Sequence, residues 1–351
     1  MATIAEPIAW VTGERSTNRT DLNWGVGGTD LGIMWDDGQG RILAAFGDTF
    51  NPRKAEAEGG GADGGDWRNN VLACSTDWDP HSGMDLEWFV TDAPGHARQV
   101  IPKDRPEDFG IIPTGGMSAE GRHYMTYMSI HDWGEAGTWR TNHAGVAYSD
   151  DAITWYKPDE ARWYNTANWG QKFQMTTLAQ DGKGWVYLFG SPNGRHGHLY
   201  LARAPFWALM DLSKHRQWNG KHWVADPDQA VPIINETVSE CSVAYHAYSG
   251  RWLLTYLNDP GGQIVMHDAP HPVGPWSGPR VLVESADWPG LYGAWWHPWS
   301  LSDPNPCFLM SKWAAYNTVL MRANFGTATY QPSRVIDLGA RPVPYDTPAA
   351  A

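Results

Sequence analysis

The chain has 351 residues with 26 Lys+Arg against 39 Asp+Glu, a net charge of −13 with His neutral, which lacks the basic excess that phosphate backbones or anionic membranes select. Nucleic acid and membrane surfaces are therefore poor candidate partners. Apolar residues make up 42% and charged residues 19%, enough for a sizeable core, and no apolar run approaches the length of a membrane span.

The amino terminus, MATIAEPIAWVTGERST, has no basic region followed by an apolar one, so no secretory signal is read there. From Asp30 to Asp48 two strands are predicted, Leu31–Trp35 and Arg41–Phe46, joined by the turn-rich Asp36-Asp37-Gly38-Gln39-Gly40 in a hairpin. Past a Gly-rich loop at 59–65, strands over Asn70–Cys74 and Leu86–Val90 complete a four-stranded unit. The cadence restarts with Gly116–Ser118, His123–Ile130, Gly145–Tyr148 and Thr154–Tyr156. A third unit reads Gln174–Ala179, Gly184–Phe189, Leu199–Arg203 and His222–Ala225, and a fourth Ser242–His246, Trp252–Leu257, Ile264–Asp268 and Arg280–Val283. Ala294–Trp296, Cys307–Ser311 and Thr318–Ala323 make a fifth when joined by a terminal strand.

Radial repetition of four-stranded sheets is what such a cadence most often means, so the expected fold is all-β, a five-bladed β-propeller. A large sandwich or several small β domains is the competing arrangement. No polar, Pro/Gly/Ser-rich linker separates the units, so a single domain over residues 1–351 is expected. Most of the 22 Trp then serve as packing between blades. The three cysteines, Cys74, Cys241 and Cys307, are far apart and lack metal-ligand spacing. They read as buried thiols, with one bridged pair left open, and no metal site is expected. Ser149-Asp150-Asp151-Ala152-Ile153-Thr154-Trp155 is similar to a sialidase Asp-box but lacks its glycine, and reads as a structural turn.

Inner strands of a propeller line its channel, so carboxylates at their ends are the candidates for chemistry. Asp30, in Gly28-Thr29-Asp30-Leu31-Gly32, opens the first inner strand, and Asp48, in Phe46-Gly47-Asp48-Thr49-Phe50, closes its hairpin partner. The two should be neighbours at one end. Neighbouring carboxyls repel when both are ionised, which can leave one protonated beside a charged one. Glycosidic cleavage needs that combination: one group donates a proton to the leaving oxygen while the other activates water or attacks the anomeric carbon. Turn capping by Asp is the bland alternative for each. Glu240, just before the fourth inner strand, reads as an acid or, preferably, as a group that orients a sugar hydroxyl.

Asn69, Asn70, Gln174, Arg195 and the cluster Trp295, Trp296, His297 and Trp299 supply amides, a guanidinium and aromatic faces suited to hydroxylated rings. His297 reads either as a buried histidine or as a ligand to a channel metal. No Gly-x-Ser-x-Gly elbow, phosphate loop, dinucleotide fingerprint or His-Glu-x-x-His is present.

Gly28–Gly32, Phe46–Phe50, Arg68-Asn69-Asn70-Val71-Leu72-Ala73, Glu240-Cys241-Ser242-Val243 and Gly274-Pro275-Trp276, in this order and over most of the chain, resemble the endo-D-arabinanase glycoside hydrolases (glycoside hydrolase family 183). The resemblance implies a five-bladed propeller that cuts inside α-linked D-arabinofuranose chains of mycobacterial arabinogalactan and lipoarabinomannan. It also implies an acid pair at Asp30 and Asp48, inversion at the anomeric carbon, and a site of action outside the cell; since no export signal is read, carriage on a phage virion is the other expectation. No redox cofactor is required by such chemistry, and the channel is the place for a structural calcium ion if the chain carries one. An L-arabinanase, a sialidase and a non-catalytic lectin or phage receptor-binding propeller are the rival readings.

Overall fold

The computed structural model describes residues 4–325. Five sheets of antiparallel strands stand around a common axis, four of them following the order innermost to outermost along the chain, and the fold is a five-bladed β-propeller. Blade 1 comprises Gly28–Asp36, Ile42–Phe50, Val71–Ser75 and Trp88–Phe89; blade 2, Gly110–Ala119, Arg122–Asp132, Arg140–Ser149 and Arg162–Tyr164. Blade 3 comprises Met175–Gln180, Trp185–Ser191, Tyr200–Pro205, Arg216–Trp218 and Trp223–Val224; blade 4, Cys241–His246, Arg251–Asn258, Gln263–Ala269 and Arg280–Glu284. Blade 5 takes Leu291–Trp296, Cys307–Lys312 and Asn317–Ala323 from the end of the described chain and Ala5–Trp10 from its beginning. Ala5 pairs with Ala323 and Trp10 with Val319, so the terminal strand that was expected is the amino-terminal one, and it closes the ring.

Both faces of each sheet are covered by neighbouring blades, which is why the strands read as near-continuous apolar runs. All nine residues of Ile42–Phe50 are buried. Ile42, Val71, Leu309 and Leu320 fill the space between blades 5 and 1, Val146, Leu178 and Leu188 that between blades 2 and 3, and Leu201, Val243 and Leu254 that between blades 3 and 4. Each such side chain contributes about 1.5–3 kcal/mol of burial. Tryptophans add to the same seams: Trp35 of blade 1 meets Trp155 of blade 2 edge to face at 6.4 Å, and Trp252 of blade 4 meets Tyr187 of blade 3 at 6.0 Å.

The first hairpin forms where predicted. Asp37 Oδ1 accepts from the amides of Gln39 and Arg41, and Gly38 and Gly40 take left-handed φ of 75° and 85°. Two outer strands differ from expectation. Thr154–Tyr156 is not a strand, because Asp151 Oδ1 accepts from the amides of Ile153 and Thr154 and curls the segment into a turn. Only Tyr156 bridges to Tyr148, and Arg162–Tyr164 takes the outer position. The expected His222–Ala225 is a short hairpin arm paired with Arg216–Trp218, giving blade 3 a fifth strand. Cys74, Cys241 and Cys307 are all free and buried. The single domain predicted over 1–351 extends onto residues 1–3 and 326–351, which lie outside the described residues. Among the described residues, no helix is long and apolar enough to cross a membrane.

Candidate active site

The inner strands all run the same way along the axis, so their first residues gather at one end. A cavity of about 750 Å³ opens there, lined by Asp48, Phe50 and Met128 of second strands and by ten further short segments. Five are inner-strand starts, carrying Asp30, Thr114, Thr176, Glu240 and Tyr292. The other five are the loops between second and third strands, carrying Trp67, Trp139, Arg195, Asp259 and Tyr316. The volume is at the larger end of ordinary ligand sites.

Three of the inner strands are irregular where they meet the cavity. In blade 1 the pairing passes from Thr29↔Thr49 to Leu31↔Phe46, so Asp30 faces both Gly47 and Asp48 in a bulge. Similar shifts fall between Pro113 and Gly115 and between Tyr292 and Ala294. A bulge re-aims side chains toward a site at the cost of ladder bonds. Leu31 pays part of that cost with a left-handed φ of 69°, and Ser311 Oγ accepts its amide at 2.8 Å. Gly47 is needed for space: a Cβ there would stand 2.4 Å from Asp30 Oδ1.

Asp30 and Asp48 both line the cavity. Asp30 Oδ2 accepts from the Tyr292 hydroxyl at 2.9 Å, the Tyr316 hydroxyl also acts on this carboxyl, and Oδ1 has no protein partner of hydrogen-bond geometry. Burial, reinforced by the charge of Asp48, pushes Asp30 up to about 8. Asp48 is raised to about 6 by burial, held back by the side chains of Trp67 and Asn69 and by the charge of Lys103. Its Oδ1 accepts from Trp67 Nε1 at 2.7 Å. Near neutrality the pair thus holds a protonated Asp30 beside a largely ionised Asp48, as two interacting acids in unequal surroundings must.

Glu240 differs. Burial opposes its charge, but Arg195 Nη2 at 3.1 Å from Oε1 outweighs burial and lowers its pKa. Arg195 Nη1 also bonds Asp259 Oδ1 at 3.2 Å, so this guanidinium is shared between two carboxylates. Glu240 Oε2 is buried and has no protein partner of hydrogen-bond geometry.

Of the expected binding residues, Glu240, Arg195 and Trp295 line the cavity and the others do not. Asn70 is buried with its amide satisfied by the main chain of Val100, Ile101 and Ile111. Gln174 accepts from Thr141 and donates to the Trp163 carbonyl. Both are fold residues. Asn69 acts on Asp48 rather than standing in the wall. Trp296 packs against Phe308 at 5.5 Å. His297 is fully buried behind the fifth inner strand with its pKa lowered to about 4 by burial. Trp299 stacks on Trp78 at 4.0 Å and donates to Asp36, which at about 3.3 Å per residue lies roughly 20 Å along the strand from Asp30. The Trp295–Trp299 cluster is therefore split, because the strand ends at Trp296 and the chain turns away through Pro298–Ser302. Among the described residues no three His, Cys, Asp or Glu converge as a metal site.

Tyr316, Asp259, Lys103 and Trp139 were not singled out from sequence. Their signal was positional: Asp259, Trp139 and Tyr316 occupy turns between the second and third strands of their units, where Arg195 was already noticed.

The domain-of-unknown-function family DUF4185 matches residues 15–322. The chain belongs to that family. Notoamide biosynthesis cluster protein J of Aspergillus sp. (strain MF297-2) is 32% identical over 315 residues, spanning 83% of this chain and 81% of the relative. Its counterpart J′ of Aspergillus versicolor is 32% identical over 313 residues, spanning 83% of this chain and 82% of the relative. Among solved structures, a putative hydrolase from Bacteroides ovatus superposes with a TM-score of 0.60 at 14% identity, over 86% of this chain and 87% of that one. The GH43_1 enzyme from Xanthomonas citri complexed with xylotriose gives 0.53 at 11% identity, over 93% and 92%. An exo-β-1,3-galactanase from Phanerochaete chrysosporium gives 0.55 at 10%, over 94% of this DUF4185 chain and 66% of that one. At such identities the likeness is one of fold: this DUF4185 protein has the propeller of the GH43 enzymes.

Proposed function

We propose that this protein is a glycoside hydrolase that cuts inside α-linked D-arabinofuranosyl chains, with Asp30 as proton donor and Asp48 as general base. The observation that carries the reading is the meeting of two buried carboxyls in one cavity, where burial raises Asp30 more than Asp48. In the cleavage step the Asp30 proton passes to the glycosidic oxygen as the bond from that oxygen to the anomeric carbon breaks. Asp48 takes a proton from a water whose oxygen bonds to the same carbon from the opposite face, inverting it. Return of one proton from Asp48 through solvent to Asp30 resets the pair. Glu240, held ionised by Arg195, accepts from a sugar hydroxyl, and Trp139 and Trp295 offer ring surface for sugar C–H groups. On this reading the protein acts outside the cell or from a virion.

The test is incubation of the purified protein with D-arabinan and with L-arabinan, reading oligosaccharides by chromatography and the anomer first formed by NMR. Release from D-arabinan alone, lost in Asp30→Asn and Asp48→Asn, supports the reading; intact polymer in both digests overturns it. A second reading is favoured by the aromatic lining and by the fungal relatives' place in a biosynthetic cluster: the cavity takes a compact apolar molecule rather than a polymer. Saturable quenching of its tryptophans by small apolar ligands, with no effect of arabinan, would support that instead.

A further inference from the structure

Trp67 stands half-exposed at the cavity rim, in the loop between the second and third strands of blade 1. Its placement is built from the chain on both sides. Thr49 and Arg68 exchange both backbone hydrogen bonds, so the register sets Asn69 opposite Asp48 and Trp67 opposite Phe50. The buried Arg68 guanidinium staples the segment by donating to the carbonyls of Ala97 and Gly25, each at 2.6 Å. The indole then lies parallel to Phe50 at 6.5 Å and against Phe109 at 5.5 Å. Lys103 Nζ sits over its face, 4.8 Å from the ring centre. The result of all these contacts is that Nε1 points at Asp48 Oδ1, 2.7 Å away.

We infer that Trp67 is a positioning residue for Asp48, fixing the direction of its carboxylate through the indole N–H, and that Lys103 holds and polarises the indole for this purpose. The catalytic part of the inference rests on the reading of Asp48 as the base; the positioning part does not. An ammonium over an indole face is attracted to the ring, and draws electron density from the N–H at the ring edge, making it a stronger donor. A hydrogen bond from a neutral donor to a carboxylate favours the charged form. The groups acting on Asp48 are Trp67, Asn69 and Lys103, which favour its charge; Asp30 and Tyr316 share the cavity, and the charge of Asp48 opposes their ionisation. A Trp67 that served only as a platform for sugar would make contact through its ring face and would not need its nitrogen aimed at an acid.

The test follows the Trp67 indole N–H resonance by ¹H–¹⁵N NMR across pH in the full-length, unliganded protein, assigned by its loss in Trp67→Phe. The expected result is a titration centred near pH 6, absent in Asp48→Asn and moved upward in Lys103→Met by a few tenths of a unit, on the order of a cation–π contact. A resonance that does not move with pH, or one that still titrates unchanged in Asp48→Asn, overturns the positioning role. This reading needs no turnover, so it stands or falls even if no arabinan is cut. On an active enzyme, Trp67→Phe keeps the ring and removes the donor: kcat falls by roughly 10–100-fold while KM changes little, and the acid limb of kcat/KM moves to higher pH. A rise in KM with that limb in place would reduce Trp67 to a sugar platform and overturn the inference.

Discussion

The Tyr292 hydroxyl donates to Asp30 Oδ2 across 262 positions of sequence, from the start of the fifth inner strand to the start of the first. The bond crosses from blade 5 to blade 1 and favours the ionised form of an acid that burial keeps protonated. Tyr292→Phe removes the donor and leaves the ring. Asp30 should then hold its proton to still higher pH, and kcat should fall about tenfold, the order of one hydrogen bond to a charged group. A kcat/KM profile checks both, through an alkaline limb displaced upward.

Activity itself should follow a bell. Asp48 must be ionised, which requires a pH above about 6, and Asp30 must be protonated, which requires a pH below about 8. The optimum is expected between these values, and Asp30→Asn or Asp48→Asn should each cost at least about 10³-fold. A profile flat from pH 5 to 9 would contradict the assignment of roles.

Asp30 also ties stability to pH. Its pKa is about 8 in the fold against an ordinary 3.8, so between those values the native state holds a proton that the unfolded chain has released. The contribution is complete below pH 3.8 and is lost as pH rises through 8. Asp30→Asn removes the titration. Its melting temperature should match that of the unaltered protein near pH 4 and exceed it by roughly 2–5 °C near pH 8, measured by thermal denaturation at several pH values.

Gly47 separates the roles of space and charge. A methyl group there would meet the Asp30 carboxyl at 2.4 Å, and the carboxyl must turn away or the bulge must shift. Gly47→Ala should destabilise by about 1–3 kcal/mol while reducing kcat more than stability alone accounts for. Denaturant unfolding and kinetics on the same preparation compare the two.

Arg195→Met leaves Glu240 buried beside Asp259 without its cation. At neutral pH the loss should be about 3–5 kcal/mol, typical of breaking a buried pair. Glu240 is held below its ordinary 4.5 by Arg195, so the pair's contribution is present above that value and lost as pH falls. The penalty should therefore shrink toward pH 4, where Glu240 is neutral in the variant. Urea titrations at pH 7 and pH 4 measure this. Adding Glu240→Gln should recover part of the loss at pH 7.

The neighbourhood of Asp30 and Asp48 was legible in the sequence because a hairpin is local: a short turn fixes register, and register places the start of one strand beside the end of the next. The five-fold cadence was legible for the same reason, being a repeat of apolar runs and turns. Outer strands were less so: a strand was expected from Thr154, but the Asp151 side chain holds Ile153 and Thr154 in the turn that precedes it.

What the chain alone determined was the set of hairpins and the meeting of the two acids. What the tertiary structure decided was everything that depends on closing the ring: which tryptophans face the cavity, that Asn70 and Gln174 hold the fold and His297 lies buried outside the cavity, and that Tyr292, Tyr316 and Asp259 reach the site. Ala5–Trp10 must cross to Asn317–Ala323 before the inner-strand starts share one mouth. The protonation of Asp30 belongs to the same category, because it comes from the removal of water around a carboxyl. No pattern of neighbouring residues encodes that; it follows from five blades packed around it.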